Sequence, residues 1–134
     1  MLGEKFAEEK GKIMVERVLP SATNTPTMES TFVASGVLLG LNVKNNGTFQ
    51  ATLRPDGSVF GEAQGIVQGQ DGSMATWRGQ GVGLVEPSGA VKYRGAIYYA
   101  TSAARWSRLN KIAGVFECDL DAAGNLTSSV YEWR

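Results

Sequence analysis

Glu62 and Gln64 stand two apart in GEAQGIVQG, a stretch in which glycines leave room beside both polar side chains. A glutamate enclosed in such a place is desolvated, so its carboxyl titrates upward and becomes usable as a general acid or base. Trp77, Tyr93 and Tyr99, with Tyr98, supply ring faces on which a planar or apolar ligand can stack, although aromatics in a sheet also serve as core. Glu117 stands two residues from Asp119, a carboxylate pair fit for proton transfer or cation binding, or for a solvated edge. The chain has no histidine and a single cysteine, Cys118. That excludes Ser-His-Asp and Cys-His nucleophile pairs, an intrachain disulfide, and histidine-ligated or cysteine-cluster metal centres. Acid–base work therefore falls to Glu, Asp, Tyr or Lys, and no cofactor or metal is expected.

These residues must be positioned by strands. Gly57–Ser102 alternates small and apolar residues between turn signals, with glycine at nearly every second position around Gly79-Gln80-Gly81-Val82-Gly83. That run lacks the helix N-terminus a phosphate loop needs, so close strand packing accounts for it. KNNGT, RPDGS, EPSGA and DAAGN each suit a three-residue hairpin loop with glycine in the left-handed position, and QDGS suits a two-residue type I′ turn. Strands are expected at Lys12–Leu19, Thr27–Ser35 and Val37–Val43 ahead of these hairpins. A short helix is expected at residues 102–110, capped by Ser102, with Trp106 and Leu109 on its buried face. Residues 1–11 read as a mobile arm, because a helix between Gly3 and Gly11 is marginal in water. The fold class is all-β: one domain over residues 1–134, a closed antiparallel up-and-down barrel of about eight strands with one short helix.

Taking every turn literally fixes registers, and these disagree. The first half buries Leu39, Leu41, Val43, Phe49, Leu53, Val59, Ala63 and Val67. The second half, with Glu62 opposite Gly81 and Ile66 opposite Trp77, presents its richer apolar set on the other face. A bulge among Gly65, Gly79, Gly81 and Gly83 reconciles the halves; otherwise the lumen is partly polar around Glu62 and a partner covers the outside. Cys118, beside Phe116 and Leu120, reads as inert core.

Thirteen basic and thirteen acidic residues cancel, which removes the footprint of nucleic-acid binding. No apolar run approaches the roughly 20 residues of a membrane span, and the N-terminus lacks the apolar stretch of a leader, so a cytoplasmic location is expected.

The segments GEAQGIVQGQDGSMATWRGQGVG, YRGAIYYATS and RLNKIAGVFECDLDAAGNLTSSVYEW resemble small uncharacterised bacterial and archaeal proteins similar to the allene-oxide-cyclase-like barrels of the calycin type. The resemblance spans Gly57 to Trp133. It implies an eight-stranded barrel and a homo-oligomer and carries over no catalytic residue. Three functions follow as expectations. The first is a module binding a small apolar or aromatic molecule near Glu62, Gln64, Trp77, Tyr93, Tyr99 and Glu117. The second is an isomerase or cyclase using Glu62 or Glu117, and the third a filled barrel acting through its oligomer interface.

Overall fold

The computed structural model describes residues 1–134. Eight strands close into an antiparallel barrel in chain order: β1 (Leu2–Leu19), β2 (Thr27–Leu38), β3 (Leu41–Leu53), β4 (Val59–Gly69), β5 (Met74–Val85), β6 (Val91–Thr101), β7 (Gly114–Leu120) and β8 (Asn125–Trp133). A 3-10 helix, Ala104–Lys111, lies between β6 and β7. No helix is long and apolar enough to cross a membrane.

The expected mobile arm is the first half of β1. Leu2 to Lys12 pairs with β8 and Ala7 to Leu19 with β2, so this 18-residue strand closes the barrel. Its inward residues explain the order: Phe6 and Ala7 are buried. Helical propensity is a poor guide to a segment whose backbone groups are needed by two neighbours.

Two turns differ from expectation, and together they remove the conflict over the inward face. KNNGT is not a turn, because β3 runs through it with Gly47 opposite Phe32 and Gly65. The chain reverses earlier, at Leu39 and Gly40, both left-handed (φ 47° and 80°), which is the two-residue geometry that matches strand twist. The expected strand Val37–Val43 is therefore split by a turn that Leu39, a poor left-handed residue, does not announce.

At QDGS the loop has three residues rather than two. Gly69 N–H donates to the Ser73 carbonyl and Gly72 N–H to that of Gly69, repeating the pattern of Arg54, Gly57 and Ser58 in RPDGS. The extra residue shifts β5 by one position, so that Trp77 faces Gly65 and Glu62 faces Gln80. No bulge is needed between β4 and β5; the register irregularities all lie in β1. The RPDGS and EPSGA registers hold: Leu53 pairs with Val59, Gln50 with Glu62, and Trp77 with Tyr99.

With that register one inward set runs round the barrel, and its glycines and aromatics interlock. The Trp77 indole lies flat over Gly65 and Gly47, where added Cβ atoms would stand 2.5 Å and 2.7 Å from the ring. Tyr93 lies in the same way over Gly83 and Gly61, and Phe116 over Gly81 and Gly79. An eight-stranded barrel has little interior, so large rings fit only where neighbouring strands carry no side chain.

The helix covers one end of this interior. Trp106 and Leu109 are buried, packed in the core cluster with Leu38 and Val67. Its N-cap is Ala103 rather than Ser102, with no side-chain cap. The entry is instead fixed by Asn110, whose amide accepts from Thr101 N–H at 2.8 Å and donates to the Thr101 carbonyl at 2.9 Å. Arg105 pairs with Asp71 of the β4–β5 turn and Arg108 with Glu132 of β8, so the cover is tied to two sides of the rim.

Two outcomes follow. Gly65→Ala should lower stability in urea unfolding by about 1–3 kcal/mol, the usual cost of overpacking. It should cost more than Gly61→Ala, whose Cβ would stand 3.3 Å from Tyr93. The Asp71 carboxyl is held down at about 2 by the Ser73 N–H and then by Arg105. Its stabilising effect is therefore present above the ordinary aspartate value and lost as pH falls toward 2. Arg105→Gln should move its NMR-measured titration upward; an unchanged titration would mean that the salt bridge does not persist in solution.

Candidate functional site

The corrected register decides which candidate residues meet. Trp77, Tyr93 and Tyr99 point inward, are buried, and line one lumenal cavity of about 110 Å³. Glu62, Gln64 and Glu117 point outward and are exposed, because each alternates with an inward neighbour: Ala63, Gly65 and Cys118. Glu62 accepts a long contact from Gln80 at 3.4 Å on the outer face. The three outward residues therefore do not belong to the lumen, and the isomerase reading loses both of its proposed bases. The misplacement of Glu62 and Gln64 traces to the QDGS turn. The barrel is not packed solid but holds this cavity.

The one carboxylate that lines the lumen is Glu9 of β1, 8% exposed. Its Oε1 accepts from Asn45 Nδ2 at 3.0 Å, and Asn45 Oδ1 accepts from Trp77 Nε1 at 2.7 Å. The direction of this chain is forced, since an indole N–H can only donate and so leaves the Asn45 amide nitrogen for Glu9. Glu9 Oε2 makes no hydrogen bond within the protein, and the residue lines the cavity. Burial raises the Glu9 carboxyl above its ordinary value, and the Asn45 hydrogen bond offsets only part of that. Sequence reading misses both residues for one reason: Glu9 lies in the supposed arm and Asn45 in the supposed turn. The signal available is alternation, since Val43-Asn45-Gly47-Phe49 is a single-faced series once KNNGT is read as strand.

The walls are aromatic. Phe32 stands 6.2 Å from Trp77 and 6.3 Å from Phe49 between ring centroids, and Phe49 meets Tyr93 edge to face at 6.1 Å. Tyr99 and Cys118 line the same cavity as Glu9, and Glu9 and Cys118 flank Ser128 of β8 from its two sides. Burial pushes the Cys118 thiol up to about 12 and the Tyr93 phenol to about 12. Both are protonated at neutral pH, so Cys118 is an unreactive wall residue, as expected for a buried thiol.

The cavity is closed at the end covered by the helix. Toward the opposite end, where the β5–β6 and β7–β8 hairpins turn, the inward residues Phe49 and Leu120 are only partly buried. The lumen is thus a blind cup with its single carboxyl on the wall.

No family model matches the sequence, and no curated protein matches it. Solved structures share the fold. A β-barrel-like protein from Acinetobacter baumannii superposes with a TM-score of 0.85 at 11% identity, covering 100% of this chain and 96% of that one. A conserved protein of unknown function from Rhodopseudomonas palustris gives 0.83 at 12% identity, with 98% and 97% covered. A protein with unknown function from Clostridium acetobutylicum gives 0.79 at 14% identity, with 97% and 98% covered. At such identities the likeness establishes the closed barrel and nothing of its chemistry.

Proposed function

We propose that this protein is a small-molecule binding barrel whose lumen takes a compact apolar or aromatic ligand carrying one polar group, which meets Glu9. The observation that carries this reading is the free Glu9 Oε2, set within an apolar cup and with no partner from the chain. The aromatic walls and few polar groups match the usual make-up of ligand pockets, but the volume is below the roughly 300–1,000 Å³ of drug-sized sites. A cavity of about 150 Å³ holds benzene, so the enclosed part of the ligand is one ring or a short branched chain. The resemblance to allene-oxide-cyclase-like barrels supports a lumenal ligand without supplying a reaction.

Benzyl alcohol is a suitable first probe. Added to isotope-labelled protein, it should shift the NMR signals of the Trp77 indole N–H and the Asn45 amide, and Ala63→Leu, which fills the lumen, should abolish those shifts. Shifts confined to outer-face residues, or unaffected by Ala63→Leu, would refute a lumenal site.

The raised Glu9 carboxyl has a consequence for stability. The folded protein keeps this proton to a higher pH than the unfolded chain, whose glutamate titrates near 4.5. Between those two values the native state binds more protons, so stability falls as pH rises, by up to about 1.4 kcal/mol per pH unit. Glu9→Gln keeps an acceptor for Asn45 and should flatten that part of the stability–pH curve in denaturant titrations. An unchanged slope would show that Glu9 is solvated.

A further inference from the structure

We infer that the ligand's polar group is a cation, a small organic ammonium seated with its charge against Glu9 and its body against the surrounding rings. This deepens the lumenal reading above and rests on it. Three observations point to positive charge. No lysine or arginine lines the lumen, so the chain supplies Glu9 with no counter-ion. Glu9 Oε2 accepts no hydrogen bond from the chain, whereas its partner oxygen is already engaged by Asn45 at 3.0 Å. The cavity that Glu9 lines is walled by aromatic side chains from three strands: Phe32, Trp77, Tyr93 and Tyr99. Ring faces carry negative potential and attract an ammonium within about 6 Å of their centroids. A carboxylate among such faces is the complement of a protonated amine, and both elements strengthen where water is excluded.

Binding then moves a proton in a defined way. Below its raised pKa the Glu9 carboxyl of the empty barrel carries a proton; there, when the ammonium enters, the carboxyl O–H bond breaks, the proton leaves for solvent, and the carboxylate pairs with the N–H groups. The other titratable groups around Glu9 do not intervene. Tyr99 of β6 and Cys118 of β7 are shifted upward and stay protonated, as does Tyr93. Arg94 and Asp119 on those strands point outward and pair with each other at 3.1 Å. The inward faces of β2, β3, β4, β5 and β8 contribute no titratable side chain to the lining.

The test compares benzylamine, an ammonium throughout the range, with its neutral counterpart benzyl alcohol, each titrated by NMR from about pH 4.5 to about pH 8. Benzylamine should tighten about tenfold per pH unit below the folded Glu9 pKa and level off above it, the signature of one released proton. Benzyl alcohol should show no such gain. Glu9→Gln should weaken benzylamine about 10- to 100-fold, the range for losing a charged hydrogen bond. The same variant should keep the parent's far-UV circular dichroism and a single cooperative unfolding transition, which shows that it is folded. If benzyl alcohol enters the lumen but benzylamine binds no better, shows no pH slope, or ignores Glu9→Gln, the cation inference is wrong and the lumenal reading stands. If neither compound produces shifts that Ala63→Leu removes, the lumenal reading fails as well.

Discussion

The space inside an eight-stranded barrel is the constraint from which the rest of this structure follows. There is not room for a full side chain at every inward position, so each large ring must lie over backbone that carries none. Trp77 over Gly65 and Gly47, Tyr93 over Gly83 and Gly61, and Phe116 over Gly81 and Gly79 are three instances of one solution. With these rings seated against backbone that carries no side chain, a cavity of about 110 Å³ remains inside. Laying Trp77 across two strands also carries its N–H to Asn45, and through Asn45 fixes Glu9. Packing and site are thus one arrangement: the glycines that permit the ring also set the position of the carboxyl.

The barrel, its helix and most of its hairpins are legible in the sequence, because RPDGS, EPSGA and DAAGN announce their turns through local chemistry and the strands between them alternate. Glycine has two meanings that local reading does not separate. In Gly57, Gly72, Gly89 and Gly124 it supplies a left-handed turn, with φ near 90°. In Gly47 and Gly65 it supplies room for a ring contributed by another strand, and that need is visible only in three dimensions. KNNGT reads as a turn for this reason. The misreading turns Asn45 away from the lumen, while one missing loop residue at QDGS turns Glu62 into it.

Glu9 is hidden for a different reason. Nothing local marks Leu2–Lys12 as a strand; its order comes from two partners distant in the chain, β2 and β8. A strand that closes a barrel is specified by the gap left by the others rather than by its own propensity. The Trp77, Tyr93 and Tyr99 cluster is recovered because its pairing depends only on the short EPSGA hairpin, which joins β5 to β6 in the expected register.

The tied helix at one end of the lumen also bears on how a ligand would reach it. Arg105 and Arg108 fasten it to two sides of the rim, and its buried Trp106 and Leu109 anchor it in the core. Movement of a molecule through that end would require breaking both ion pairs and withdrawing two buried side chains. A ligand of the proposed kind would therefore enter and leave by the opposite mouth, past hairpin-end residues such as Phe49 and Leu120. Its residence time would be a property of that rim, separable from the contacts made deeper in the cup.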